Sequence, residues 1–252
     1  MAGHAFVTGG HTGIGLAVAR ALSGAGHAVT VASIDAEGDG AVHAAMAALG
    51  PRAGYVRLDV AALDAHGPAL DRAEAERGPI TTLVSNAGVA QPRRGDMLDL
   101  SPDAFDHVMG VNLRGGFFLA QAVARRMVGR DGDGYRCLIF VTSVSAAMAS
   151  PERAAYAISK AGAAAAARHF ALRLAPRGIG VFDLRPGIIE TAMTAGVRDA
   201  YDARIRNGLV PAGRWGAPED VAAVALAVAE GRMAFATGAV LPVDGGLSIA
   251  RL

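Results

Sequence analysis

Short apolar runs along this chain alternate with longer stretches in which apolar positions recur every three or four residues, the mark of strands and amphipathic helices in turn. Ala5 to Thr8 reads as a first strand; glycines follow, then a helical stretch from about Ile14 to Ala25 closed by Gly24 and Gly26. Val29 to Ala32 is a second strand. Gly40 to Leu49 has helical spacing and stops at Gly50-Pro51, and Gly54 to Leu58 is a third strand ending at Asp59. Asp64 to Arg77 is helical up to Gly78-Pro79, and Thr82 to Ser85 is a fourth strand followed by Asn86-Ala87-Gly88. A capped helix opens at Ser101-Pro102-Asp103, and a separate long helix is expected from about Asn112 to Val128. Cys137 to Val141 is the fifth strand, an alanine-rich helix runs from near Ala154 to about Leu174, and Ile179 to Leu184 is the sixth strand. A last helix opens near Pro218-Glu219-Asp220 and a last strand spans Val240 to Val243.

Regular alternation of strand and helix predicts an α/β fold: a Rossmann-like three-layer α/β/α sandwich around a parallel sheet of about seven strands. No linker, repeat or low-complexity tract divides residues 1–252, so a single domain is expected. In such sheets ligands bind at the carboxyl ends of strands, and every motif singled out below lies at one.

Composition narrows the function classes. A hydrophobic share of 52% with 19% charged residues supplies a sizeable core and excludes a disordered chain. A net charge of +1 gives no field that would favour nucleic acid or an anionic membrane. The single cysteine, Cys137, cannot form an internal disulfide and falls in a strand, which suits a buried residue and a reducing cytoplasm. No basic segment followed by an apolar one opens the chain, and Arg168 and Arg173 interrupt the alanine-rich helix, so neither a signal peptide nor a membrane span is expected. His11, His107 and His169 lack metal-ligand spacing, and no metal site is expected.

Two stretches carry chemistry. Gly9, Gly13 and Gly15 stand between the first strand and its helix, where glycines permit a tight turn, close approach of a pyrophosphate to backbone N–H groups, and close helix packing. Asn86-Ala87-Gly88 would form a wall for an adenosine, and Asp59 either accepts from an adenine amino group or caps its loop. The second stretch runs from Ser143 to Lys160. Tyr156 and Lys160 stand four apart on one helix face, so an ammonium would lie beside a phenol and favour its ionised form. Ser143, at the end of the fifth strand, could hold a substrate carbonyl oxygen while Tyr156 moves the proton. Of 24 cationic residues, 23 are arginine and the one lysine is Lys160, where a compact point charge is wanted rather than a planar fork.

Taken together, Thr8-Gly9-x-x-x-Gly13-x-Gly15, Asn86-Ala87-Gly88, Asn112, Ser143, Tyr156-x-x-x-Lys160 and Pro186-Gly187 resemble the short-chain dehydrogenase/reductase family, in particular its roughly 250-residue branch and its bacterial 3-oxoacyl-(acyl-carrier-protein) reductases. The tail elements Arg214-Trp215-Gly216, Pro218-Glu219-Asp220 and Asp244-Gly245-Gly246 fit the same resemblance. It implies that Tyr156 is the general acid/base, that Ser143 orients the substrate oxygen, that Lys160 binds the nicotinamide ribose and lowers the tyrosine pKa, and that Asn112 holds a water in a proton relay ending at Lys160. It implies cofactor contacts from Gly9, His11, Thr12, Gly13, Ile14 and Gly15 in the glycine loop; from Ser33, Asp59 and Val60 around the adenosine; from Asn86, Ala87 and Gly88; and from Tyr156 and Lys160. Pro186, Gly187, Ile188 and Thr191 would meet the nicotinamide end. Residues 188–215 would be a substrate lid, and the chain a homo-oligomer, most often a tetramer.

The chain departs from the family pattern in places. Ser85 stands where a second asparagine is common. Ser33 stands where NAD-preferring relatives place an aspartate, and Ile34 and Thr12 stand where NADP-preferring ones place a cation. No Lys or Arg falls between Arg20 and Arg52, while Asp35, Glu37 and Asp39 cluster there, which points to NAD(H) over NADP(H), although the Ser33 hydroxyl would also suit a phosphate. A carrier-protein substrate would want a basic patch at the active-site entrance; Arg125, Arg126 and Arg130 are the candidates, but Leu172 occupies a position where a basic residue is common. The expected activity is therefore hydride transfer between NAD(P) and a secondary alcohol or ketone: a polyol, sugar or small hydroxy compound, with a 3-oxoacyl thioester as the alternative. A nucleotide-binding regulator that had lost the chemistry would have no need of the complete set Asn112, Ser143, Tyr156 and Lys160.

Overall fold

Seven parallel strands form one sheet in the order β3-β2-β1-β4-β5-β6-β7 in the computed structural model, which describes residues 3–130 and 134–251. The strands are β1 (His4–Thr8), β2 (Ala28–Ser33), β3 (Ala53–Arg57), β4 (Ile80–Ser85), β5 (Arg136–Val141), β6 (Ile179–Pro186) and β7 (Val240–Val243). Helices cover both faces, so the inner strands are buried on both sides and carry near-continuous apolar sequence. Alternate residues turn to opposite faces. Val7, Ile139 and Phe182 point toward α1 (Gly13–Gly24) and α2 (Gly40–Leu49); Phe6, Leu138 and Val181 point toward α3 (His66–Arg77) on the other side. The chain crosses from one half of the sheet to the other between β1 and β4, and their carboxyl ends open a crevice there.

Most elements lie within two residues of the sequence expectation, with one informative exception. The two helices expected from Ser101 and from Asn112 are one continuous rod: α4 (Pro102–Met109), a π-helical turn (Gly110–Gly115) and α5 (Gly116–Val128). A π turn takes one residue more than an α turn, which shifts the apolar stripe out of phase and makes one rod read as two helices. Tertiary packing fixes the place of that turn. A Cβ on Gly115 would lie 2.4 Å from the Val60 carbonyl oxygen.

The expected α6 is present (Ala154–Leu174). The segment 188–215 holds two short helices, α7 (Ala192–Ala195) and α8 (Arg198–Arg206), before α9 (Pro218–Ala229) packs beside α1. Its C-terminal end is tied down. Arg214 reaches both carboxylate oxygens of Asp220 at 2.7 and 3.0 Å, which holds that carboxyl down at about 2. Ala212 N–H donates to the Gly245 carbonyl at 3.0 Å, and both Gly245 and Gly246 have positive φ.

Of the three arginines expected in a carrier-protein patch, two are neutralised by acids, while Arg125 is exposed and in no ion pair among the described residues. Arg126 pairs with Asp71 and Glu74 and Arg130 with Glu74, at the end of α5 that feeds the start of β5, the opposite edge from the crevice. Leu172 is an exposed residue of α6.

Buried histidines set a pH dependence. His4 Nδ1 donates to the Gly78 carbonyl at 2.7 Å and its Nε2 accepts from the Thr30 hydroxyl at 2.8 Å, while His27 Nδ1 accepts from Gly3 N–H at 3.2 Å. Burial holds both rings below the ordinary value of 6.5. A lowered folded-state pKa means the unfolded chain binds the proton first, so stability is full above about 6.5 and declines as pH falls below it. The melting temperature is expected to drop between pH 7.5 and 5.5, and His4→Gln to flatten that drop; an unchanged slope would show that His4 is not the source.

Candidate active site

The crevice is built on the junction of β1 and β4. Thr8 Oγ1 accepts from the backbone N–H of Asn86 at 3.0 Å and of Ala87 at 2.9 Å, and Asn86 Nδ2 donates to the Thr8 carbonyl at 2.9 Å. Gly9 and Gly13 have φ of 62° and 50°, a region that a side chain would strain. Gly15 lies below the loop: a Cβ there would sit 2.1 Å from the Gly9 carbonyl oxygen and 2.6 Å from Asn86 Nδ2. Helix α1 therefore starts hard against the sheet. No side chain caps its first turn and no acid lies in it, so its free N–H groups and positive dipole end face the crevice.

Across the junction, β5 ends at Val141 and Ser143 follows. Ser143 is buried, and its Oγ accepts from Ser145 N–H at 3.1 Å, which leaves its own proton free to donate. Tyr156 and Lys160 stand on α6. Lys160 Nζ donates to the Val141 carbonyl at 2.9 Å and lies 5.7 Å from the centre of the Tyr156 ring; Arg153 approaches that ring at the same distance. Lys160 Nζ also sits close to Gly88, where a Cβ would be 3.5 Å away.

Asn112, in the π turn, is a clamp. Its Oδ1 accepts from Val89 N–H at 2.7 Å, and its Nδ2 donates to the Val89 carbonyl at 2.9 Å and to Ser159 Oγ at 3.1 Å. Ser159 in turn donates to the Tyr156 carbonyl at 2.7 Å. The Asn112 side chain thus ties the loop after β4 to the first turns of α6. Between Ser85, Asn112 and Lys160 lies a small cavity of about 10 Å³, on the scale of one water molecule.

These groups share one cleft of about 510 Å³. Its walls include Gly9, His11, Thr12, Gly13 and Ile14 from the glycine loop, Ser33, Asp59 and Val60 beyond it, and Asn86, Ala87 and Gly88 between. Ser143, Tyr156 and Lys160 line the other end with Pro186, Gly187 and Thr191. Three expected residues do not line it. Gly15 and Asn112 act from beneath as described, and the buried Ile189 lines the cleft in place of Ile188, whose carbonyl accepts from Gly216 N–H at 2.9 Å. Asp59 also caps its own loop, its Oδ1 accepting from Ala61 N–H at 2.9 Å.

Several lining residues were given no site role by the sequence reading, among them Gln91, Arg94, His107, Arg153 and Met193. Arg153 precedes Tyr156 by three in the chain, but it stands just before α6 with non-helical backbone, so nearness in sequence and not a shared helix face is the signal the sequence held for it. Asp35, read from the sequence only as one of an acidic cluster, is placed at the cleft wall beside His11, whose Nε2 lies 2.8 Å from Asp35 Oδ2. A cation from outside the segment 20–52 does reach this end. Arg57, in register with Ser33 on the neighbouring strand, donates from Nε to the Ile34 carbonyl at 3.0 Å. Among the described residues no group of three His, Cys, Asp or Glu side chains converges in a way that could hold a metal.

A family model described as enoyl-(acyl carrier protein) reductase matches residues 9–248. The chain is a short-chain dehydrogenase/reductase. Its relatives include the 3-oxoacyl-(acyl-carrier-protein) reductase MabA of Mycobacterium tuberculosis, 36% identical over 247 residues that cover 96% of this chain and 92% of the relative. Among solved structures, a 3-oxoacyl-(acyl-carrier protein) reductase from Brucella melitensis in complex with NAD superposes with a TM-score of 0.95 at 45% identity, over 100% of this chain and 99% of that one. A gluconate 5-dehydrogenase from Burkholderia cenocepacia J2315 in complex with NADP and tartrate gives 0.89 at 34%, over 98% and 96%. This short-chain dehydrogenase/reductase is thus an oxidoreductase of CH–OH groups that takes NAD or NADP.

The cleft of the short-chain dehydrogenase/reductase fits a dinucleotide on structural grounds. It offers uncapped helix N–H donors, glycine turns that admit a diphosphate, and a buried His11 Nδ1 with no protein partner among the described residues. Gly15→Ala is expected to force the loop off α1, costing about 1–3 kcal/mol, or roughly 2–12 °C of melting temperature, and to weaken NADH binding in a fluorescence titration. Wild-type affinity and melting in that variant would show that the contact yields freely.

Proposed function

We propose that this enzyme interconverts a small secondary alcohol and its ketone, on a polyol, sugar or small hydroxy compound, with Tyr156 as the group that gives and takes the proton. The observation that carries this is the convergence of Ser143, Tyr156 and Lys160 on a cleft whose other half is the uncapped glycine loop. NAD(P), when bound, supplies the hydride acceptor or donor. In oxidation Tyr156 accepts the hydroxyl proton as the carbinol hydride leaves; in reduction it returns that proton to the oxygen. Ser143, its Oγ fixed by Ser145 N–H, donates to the reacting oxygen. Lys160 has used one N–H on Val141, which leaves two to donate to ribose hydroxyls beside Tyr156. Asn112 positions Tyr156 through Ser159. With its side chain committed there and to Val89, a proton relay past Asn112 would run over its backbone carbonyl and a water in the cavity beside Lys160. Residues 188–215 act as the lid, with Thr191 facing Gly13 and Met193 exposed above the cleft.

NAD(H) is the proposed cofactor. Asp35 lines the adenosine end and is held there by His11, where a carboxylate would repel a 2′-phosphate and accept from ribose hydroxyls. Arg57 favours the opposite choice, but it lies outside the cleft wall and already donates to Ile34. A homotetramer is proposed from the exposed Phe118, Ile158 and Leu172 on α5 and α6 and from Phe235, Val240 and Ile249 around the edge strand β7. No helix among the described residues is long and apolar enough to cross a membrane, and a cytoplasmic location is proposed. A 3-oxoacyl thioester is the second reading, favoured by the names of the MabA and Brucella relatives.

Tyr156→Phe is expected to keep NADH affinity and to lose about 10²–10⁴-fold in kcat. Lys160→Arg is expected to lose most turnover despite its charge, since a planar fork does not fit the slot between Val141 and Gly88; near-normal rates in either variant would remove the assignment. Titration with NADH and NADPH at one salt concentration is expected to favour NADH, a tenfold gap being about 1.4 kcal/mol, and Asp35→Asn to narrow it. Tighter NADPH would reverse the choice.

A further inference from the structure

The catalytic end of the cleft is basic, and its arginines have no acids to answer them. Arg94 and Arg153 both line it, and neither belongs to any ion pair among the described residues. The only acids in the cleft wall, Asp35 and Asp59, lie past the ends of β2 and β3, at the opposite end. Arg153 is half-buried, yet its contacts are weak. Its Nε reaches Ser150 Oγ and its Nη2 reaches Ser145 Oγ, each at 3.4 Å, and its Nη1 bonds to no described residue. None of its nitrogens is buried without a partner, so its unbonded donors open to the cleft and are available to a ligand.

The two arginines are also held in place together. Gln91, only 7% exposed, donates from Nε2 to the Arg93 carbonyl at 2.9 Å and to the Glu152 carbonyl at 3.3 Å. Its Oε1 accepts from Ala155 N–H at 3.2 Å, and Gly95 N–H donates to the Glu152 carbonyl at 3.3 Å. One buried amide thus straps the loop carrying Arg94 to the turn carrying Arg153, next to the first turn of α6 and Tyr156.

We infer that the substrate carries a carboxylate, bound by Arg153 with Arg94, a few bonds from the carbon that exchanges the hydride. This rests on the oxidoreductase reading of the same site and narrows its substrate class to hydroxy and oxo acids. The forked, planar guanidinium matches the two oxygens of a carboxylate. At 5.7 Å from the Tyr156 ring centre it can hold that group while the substrate hydroxyl reaches Tyr156 and Ser143. A neutral polyol would leave both cations unanswered.

The test uses the full chain and matched substrates: 3-hydroxybutyrate, gluconate and tartrate with NAD, each beside its neutral ester or amide, on wild type, Arg153→Gln and Arg153→Lys. For at least one acid the wild type is expected to exceed the neutral form in kcat/KM by roughly 10–100-fold. Arg153→Gln is expected to erase that advantage mainly through KM, Arg153→Lys to restore part of it, and NADH affinity to stay constant across all three. The inference is overturned if the neutral forms, an acetoacetyl thioester or a sugar phosphate are used better than every acid, or if Arg153→Gln treats acid and ester as wild type does. Tight NADH binding without turnover of any acid also overturns it. Failure of the wild type to bind NADH or NADPH would instead sink the cofactor reading beneath it.

Discussion

The contact between Gly15 and the Gly9 carbonyl sets the geometry on which the rest of the site depends. Because no Cβ intervenes, α1 begins against the end of β1, and its first N–H groups open into the crevice rather than onto the loop. Asn86 and the hydroxyl of Thr8 lock the end of β4 to the same point. A crevice at a strand-order reversal follows from parallel topology alone; one that can take a diphosphate follows from this close approach.

The opposite wall is fixed by a chain of side-chain hydrogen bonds rather than by glycine. Asn112 bonds to Val89 and to Ser159, and Ser159 bonds to the carbonyl of Tyr156, so the loop after β4 and the helix α6 cannot move independently. The π turn is what aims Asn112 at this gap, and Gly115 is what lets that turn settle against Val60. Such turns interrupt the regular ladder and persist where surrounding contacts favour them, as they do here.

Charge is divided along the cleft. His11 and Asp35 face each other at the adenosine end, while Lys160, Arg153 and Arg94 gather at the catalytic end. Elsewhere several arginines are matched locally: Arg126 and Arg130 by Glu74, Arg214 by Asp220, Arg72 by Glu37 and Glu76. What sets Arg94 and Arg153 apart from other arginines outside the described ion pairs is that they line the cleft, where a charge can meet a ligand.

The sequence by itself determined the sheet, the order of helices, the glycine loop and the Ser143, Tyr156 and Lys160 set. Those features are local: strand burial shows in apolar runs, and a helix face shows in spacings of three and four. It did not determine where the rod of α4 and α5 shifts phase, that Arg57 from the next strand reaches Ile34, that His11 recruits Asp35, or that Glu74 pairs with Arg126 and Arg130. Each of these joins residues far apart in the chain, through strand register or helix packing, and no local pattern carries that information. Arg153 lies between the two cases. Its spacing to Tyr156 was legible, but its lack of an acidic partner is a property of the assembled cleft, because a pairing is decided only when every neighbouring element is in place.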